Sequence, residues 1–322
     1  MLNTFILSSE RIRFIFEKRI YYIPHNILYY NDNDFTMYNL ETKLKINNKQ
    51  NNNIMSGAFS IVLEYRDMKD NPIIVKIMNG NVNNVKKEIL FYDLASKKDN
   101  YDEHICKYYG NYSECYKKIY YNYIFLEKLT IDLYDFIYEN NYNYGLYYCL
   151  LVLKLIANHL KFIHDLGFIY NDLKLENLMV DNKGRIKLVD FNCISSKKYR
   201  MIGSGTLEYM SSETISNLKN QTEILDPRSD SWSYGLLLYE LLTHKQSPFH
   251  HNTKNGIIKK IIKNQLNNQE KAYKLLINNC IILTRKNKKK IKLLSYIFCC
   301  CLKSNYLDRP CMDIIHNLLN KI

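Results

Sequence analysis

The sequence predicts an α+β fold in which a small β-rich lobe precedes a larger, mainly helical lobe. Short β-branched and aromatic runs are concentrated between Ile54 and Glu127. Helical periodicity takes over afterwards and continues to Leu319. Strands gathered first and helices later favour segregated layers over an alternating parallel sheet. With 322 residues the chain is long enough for one large domain or two lobes with cores of their own.

Residues 1–46 form an N-terminal extension whose role the sequence does not define. Within it Ile12, Phe14 and Phe16 alternate with Arg11 and Arg13, which suggests a short strand, and Asn31 to Asp34 reads as a turn. The Asn-rich run from Asn47 to Asn53 reads as a linker or loop and opens the main domain, 47–322. IMSGAFSIVLEY, from Ile54, is expected to be one arm of a β-hairpin with Gly57 near its turn. PIIVKIM, around Lys76, suits a buried strand, and KIYYNYIFLE is another strand run. Between them, Val82 to Leu94 has helical spacing, with Val85, Ile89, Tyr92 and Leu94 able to share a face. The divisions expected are a first lobe over 47–126, a hinge over 127–132 and a second lobe over 133–322. Helices are expected over Gly145 to Leu166, Ser231 to Leu242, Ile291 to Leu302 and Met312 to Leu319.

Composition excludes several classes. The longest apolar candidate, Leu146 to Leu155, is cut off by Lys154, Asn158 and His159, short of the roughly 20 residues a membrane span needs, so no membrane span is expected. The start, MLNTFILSSERIR, makes a poor signal peptide because Glu10 and Arg11 soon break its apolar run. None of the nine cysteines forms a CxxC pair with metal-ligand spacing, and Cys299, Cys300 and Cys301 are consecutive, which suggests a reducing, intracellular compartment, cytoplasmic or nuclear. The net charge of +13 is partly gathered in Arg285 to Lys292. No aromatic residues interleave with that run, so it reads as a solvated helix end, and no DNA or RNA partner is expected.

The chemistry is concentrated in FIYNDLKLENLMVDNKGRIKLVDFN. Two apolar strand-like pieces, NLMV and RIKLVDF, are joined by a DNKG turn, which is a hairpin signal. Asp172 precedes the hairpin, Asn177 opens its first arm and Asp190 ends its second. A hairpin returns its ends to each other, so Asn177 and Asp190 can lie close in space. An amide carbonyl and a carboxylate are hard oxygen ligands suited to Mg²⁺. With Lys174 as a nearby cation, the set suits phosphoryl transfer, which needs positioning and charge neutralisation more than covalent chemistry.

This segment resembles the catalytic loop and magnesium motif of the protein kinase family, and the resemblance extends from about Ile54 to Pro310. It implies a bilobal fold, ATP and Mg²⁺ as cofactors, Asp172 and Lys174 as catalytic residues, and Asn177 and Asp190 as metal ligands. Lys76 resembles the strand lysine that holds the α- and β-phosphates, and Glu88 its helical partner. Ser56, Gly57, Ala58 and Val62 resemble part of the glycine-rich phosphate loop. YIFLEKL resembles the last strand and hinge, implying Leu126 as gatekeeper and Glu127, Leu129 and Asp132 as nucleotide-site residues. GTLEYMSSE resembles the end of an activation segment, and Asp230 resembles the residue that braces the catalytic loop. Arg309 resembles the arginine of a late motif that pairs with an activation-segment glutamate, here Glu213. Lys174 with Thr206 resembles the serine/threonine branch, and Tyr170 with GTLEYM is similar to cyclic-nucleotide-dependent and related basophilic kinases.

The departures are Met55 and Ser60 at expected glycine positions, Asn171 for an arginine, Asn192 for a glycine and Ser211-Ser212 for Ala-Pro. Loss of the arginine at 171 implies activity without activation-segment phosphorylation. Asn192 is expected to tolerate a positive φ. The groups that do chemistry are all present, which implies an active serine/threonine protein kinase, with a pseudokinase scaffold as the alternative. Glu176 and Asp132 imply protein substrates of basic sequence. Asp132 is equally read as a ribose ligand and Glu176 as part of an internal pair. Cys193 reads as an inert packing residue, and a monomer is expected.

Overall fold

A computed structural model describes residues 4–7, 11–16, 19–24, 26–31, 36–42, 54–57, 60–66, 70–79, 83–138, 144–196, 205–220, 226–266, 268–284 and 286–321. The chain divides into two compact units. One comprises Met1–Asp102 and Cys106–Leu129, the other Glu103–Ile105 and Thr130–Ile322.

The first unit is built on an antiparallel sheet. Its strands are β1 (Thr4–Leu7), β2 (Arg11–Phe16), β3 (Arg19–Pro24), β4 (Asn26–Asn31), β5 (Thr36–Thr42), β6 (Ile54–Gly57), β7 (Ser60–Arg66), β8 (Pro72–Asn79), β9 (Tyr108–Tyr116) and β10 (Ile119–Glu127), with α1 (Asn83–Ala95) between β8 and β9. The main sheet runs β1-β4-β5-β7-β8-β10-β9, with β6 also paired to β7, while β2 and β3 form a separate hairpin. The region 1–46 therefore supplies strands to the same sheet as the region after Ile54. The Ile54 segment supplies both arms of a hairpin, β6 and β7, where one was expected. Its turn at Ala58 and the Asn47 to Asn53 run lie outside the described residues.

Strand alternation organises this sheet. Leu63, Val75 and Phe125 point to one face and are fully or almost fully buried in an apolar cluster. On the adjacent positions Val62 and Ile124 flank Lys76 in the strand register.

The second unit contains β11 (Ile131–Asp132), α2 (Leu133–Tyr138), α3 (Leu146–Asp165), β12 (Phe168–Ile169), β13 (Leu178–Val180), β14 (Ile186–Leu188), β15 (Ser195–Ser196), α4 (Ser212–Asn220), α5 (Arg228–Thr243), α6 (Lys254–Ile262), α7 (Gln269–Asn279), α8 (Lys288–Cys301) and α9 (Met312–Leu319). The four helices expected from periodicity are present within a few residues of their expected limits. By length and composition α3 is apolar enough to cross a membrane, contrary to the expectation that Lys154 and its neighbours cut it short. Half of it is buried within its unit, including Leu153, Ile156 and Leu160, as in the core helix of a globular domain.

Helix α5 runs through the core of this unit, and Trp232 and Leu236 to Leu238 are fully buried. A Cβ at Gly235 would stand 2.7 Å from Cys301 Cβ, so glycine there lets α5 and α8 approach. Cys299 and Cys301 are buried and Cys300 is half-buried, and none of the three is in a disulfide. The lysines at the start of α8 are exposed, as a solvated helix end requires.

Candidate functional site

In the first unit, Lys76 and Glu88 form an ion pair of 2.8 Å with side chains only 6% and 0% exposed. Strand β8 and helix α1 supply the two partners. At this burial each partner offsets the heavy desolvation cost that the other would bear alone. Val62, half-buried, lies directly beside Lys76 on β7. Ser56 and Gly57 lie on β6, in register with Ile61 and Ser60, and Ala58 lies outside the described residues. Leu126 and Leu129 are buried. The Glu127 carboxylate accepts from the Lys107 backbone N–H at 2.6 Å, so this side chain ties the end of β10 to the residue before β9.

In the second unit the expected hairpin is β13–β14. Leu178 pairs with Leu188 and Val180 with Ile186, and the Val189 N–H donates to Asn177 O at 3.1 Å. That bond brings Asn177 and Asp190 to the open end of one ribbon. Asp172, 7% exposed, sits at the centre of a donor set. Its Oδ1 accepts from the Thr206 N–H at 2.7 Å and the Thr206 hydroxyl at 2.8 Å. Its Oδ2 accepts from Asn177 Nδ2 at 3.0 Å and lies 3.7 Å from Lys174 Nζ. Lys174 in turn donates to the Thr206 hydroxyl at 3.0 Å. Asp172, Lys174, Asn177 and Thr206 are thus one connected group.

Two devices hold this loop. Asp230, fully buried on α5, accepts from the backbone N–H groups of Tyr170 and Asn171 at 2.9 and 2.8 Å and from His164 Nε2 at 2.8 Å. The Asn171 amide donates to Ile169 O, Cys193 O and Ser195 Oγ at 3.2, 2.9 and 2.7 Å. It ties the loop to the segment after Asp190. Gly205 is required by close approach: its φ is +114°, and a Cβ there would lie 2.3 Å from Asn171 O. Tyr170 donates its hydroxyl to Val189 O at 2.5 Å and meets the Phe191 ring edge-on at 5.5 Å. Periodicity offered no signal for that link.

One expectation is corrected. The positive φ in the magnesium-motif turn belongs to Asp190, at 55°, and not to Asn192. Asparagine at 192 therefore meets no steric demand for glycine, and the Asn192 N–H closes the turn onto Asp190 Oδ1 at 3.3 Å. Asp132 accepts from the Asp135 N–H at 2.8 Å and caps α2, while partial burial moves its carboxyl above the usual range. Glu176 is exposed.

A carboxylate missed in the sequence lies near it electrostatically. Glu240, 4% exposed, accepts from the Tyr209 hydroxyl at 2.7 Å through Oε1. Burial, with the charges of Glu176 and Glu208 adding to it, pushes Glu240 up to about 8. Its only sequence signal was a lone acid inside the apolar run SWSYGLLLYELL. Because the folded chain holds this proton more tightly than the unfolded chain, its contribution is complete below about pH 4.5 and is lost as pH rises toward 8. Glu240→Gln, which keeps the shape without the titration, is expected to gain in relative melting temperature between pH 5 and pH 8. Melting curves of the two proteins that shift in parallel over that range would discard the assignment.

The donor chemistry fits a divalent metal. Asn177 spends its Nδ2 on Asp172 and leaves its carbonyl oxygen as an acceptor, and Asp190 adds a carboxylate at the same ribbon end. No cluster of three or more His, Cys, Asp or Glu capable of holding a metal exists among the described residues. Such a pair suits an ion that completes its shell with phosphate oxygens and water.

The protein kinase domain family matches residues 49–321. Protein kinase C delta type from Rattus norvegicus is 41% identical over 95 residues, 28% of this chain and 13% of that protein. Ribosomal protein S6 kinase alpha-1 from the same organism is 41% identical over 92 residues, 27% of this chain and 12% of that protein. A probable cAMP-dependent protein kinase catalytic subunit from Encephalitozoon cuniculi (strain GB-M1) is 38% identical over 113 residues, 34% of this chain and 33% of that protein. The matched stretches thus cover at most a third of these relatives' own length. Use of ATP and a divalent metal is general in the matched family. From its α+β fold, its buried Lys76–Glu88 pair and a family match across most of its length, the chain belongs to the protein kinase domain family.

Proposed function

We propose that the chain is an active serine/threonine protein kinase, moving the γ-phosphoryl group of ATP to a serine or threonine hydroxyl of a protein. The observation that carries this reading is the Asp172 group, with a carboxylate held by Thr206, Asn177 and Lys174 beside the ribbon end that bears Asp190. Asp172 takes the proton of the attacking hydroxyl. Lys174 neutralises charge on the transferring phosphoryl group. Asn177 and Asp190 are the residues to hold Mg²⁺, which when bound neutralises and orients the phosphates. Lys76, paired with Glu88, is assigned to the α- and β-phosphates.

The three hydrogen bonds of Asn171 support activity without activation-segment phosphorylation, since they secure the catalytic loop with neutral groups. Glu176, exposed beside the catalytic loop, favours a basic substrate side chain. Nine cysteines outside any disulfide suit a reducing compartment, and we place the protein inside the cell on that ground.

The test is transfer of labelled γ-phosphate to matched serine, threonine and tyrosine peptides, each with basic or acidic flanks, by protein made without phosphorylation. Transfer to the basic serine or threonine peptides supports the proposal. A thermal shift with MgATP but no transfer to any of them would instead identify a nucleotide-binding scaffold.

A further inference from the structure

The hairpin β2–β3 pairs with no strand of the main sheet among the described residues, yet it is packed onto that sheet. Ile23 is fully buried in one cluster with Leu63 and Tyr65 of β7, Val75 and Ile77 of β8 and Tyr123 of β10. The Tyr65 hydroxyl donates to Pro24 O at 2.8 Å. At the other end, Arg11 grips Glu114 of β9 through two bonds of 2.7 and 2.9 Å, with side chains 7% and 15% exposed. The same guanidinium lies 4.4 Å from the centre of the Tyr116 ring, whose edge meets Tyr22 at 5.2 Å. A two-pronged, desolvated guanidinium–carboxylate pair stacked on an aromatic ring is directional in a way an exposed ion pair is not.

The covered face is the one opposite Lys76. Val75 and Ile77 enter the cluster with Ile23, so Lys76 between them points to the other side. A one-residue slip of β8 would exchange these faces and bury the lysine among apolar groups. The matched family region begins at residue 49, so the hairpin is an addition to the shared domain.

We propose that the β2–β3 hairpin is an intramolecular clasp that positions Lys76, closing the apolar face of the sheet opposite it, with Arg11–Glu114 as the lock. Arg11 and Ile23 are positioning residues, acting on Lys76 through β8. The assignment of Lys76 to nucleotide rests on the kinase reading. The clasp itself is a claim about the sheet and is tested without nucleotide.

The experiment uses the full chain with Arg11→Glu, Glu114→Arg and the two combined. Hydrogen–deuterium exchange is read peptide by peptide, followed by affinity for a fluorescent ATP analogue with Mg²⁺. Each single variant is expected to speed exchange of β8 amides by about tenfold while leaving α3 unchanged, and to weaken analogue binding. The charge-swapped double variant is expected to restore both. Unchanged β8 exchange in the single variants overturns the clasp, as does equal acceleration in β8 and α3, or failure of the swap to restore protection. Wild-type protein that binds no analogue overturns the kinase reading instead, and the exchange data then decide the clasp alone.

Discussion

Arg309→Ala is expected to lower the unfolding free energy by about 3–5 kcal/mol, the scale for removing one partner of a buried ion pair. Arg309 is fully buried at its side chain and Glu213 is 9% exposed. The two make parallel bonds of 2.6 and 2.7 Å. Nε donates to Lys303 O at 2.7 Å, and the terminal nitrogens also reach Arg228 O and Ser304 O at 3.3 and 3.4 Å. The guanidinium carbon lies 5.0 Å from the centre of the Trp232 ring. One side chain therefore joins the start of α4, the start of α5 and the segment after α8. Alanine would leave Glu213 buried without its cation and several carbonyls without a donor. Lysine would rescue little, because an ammonium cannot reproduce the planar fork. Denaturant unfolding of both variants checks this, and a loss below about 1 kcal/mol for alanine would contradict it.

The same pair shows where sequence reasoning reached furthest. Arg309 and Glu213 are 96 residues apart, and no periodicity or spacing joins them. Resemblance to a family motif did. The β13–β14 hairpin was legible on simpler grounds, because DNKG between two apolar runs specifies its own turn. Helices α3, α5, α8 and α9 were legible because apolar residues recur along them at helical spacing. Of the first 46 residues the alternation of Ile12, Phe14 and Phe16 was legible, and it is strand β2; the other strands were not, since short strands rich in Tyr, Asn and Ile carry weak alternation and their pairing depends on distant partners such as β7. Asp230 as a brace was anticipated by resemblance. The amide bonds of Asn171 and the tuning of Glu240 were not, for they arise from burial and from backbone carbonyls that a residue pattern does not display. The expected glycine substitute at 192 failed for a related reason. Local φ in a turn is set by which residue reverses the chain, and here that is Asp190.

Asp172→Asn is expected to slow phosphoryl transfer by about 10²- to 10⁴-fold, the usual contribution of a positioned general base. That corresponds to roughly 3–5 kcal/mol of barrier. Asparagine preserves the volume but cannot take the hydroxyl proton. It also places an NH₂ where only donors approach. On one side stand the Thr206 N–H and hydroxyl, on the other Asn177 Nδ2 and Lys174 Nζ, so either orientation of the amide sets donor against donor. The variant should therefore show a local cost in the catalytic loop as well as the chemical one. Affinity for MgATP should stay within a few-fold, because Lys76, Asn177 and Asp190 are untouched. Single-turnover transfer with saturating nucleotide isolates the chemical step from binding. A rate loss under about fivefold at saturating ATP, with the variant folded, would remove Asp172 from the role of base and leave it as an anchor for Thr206 and Asn177.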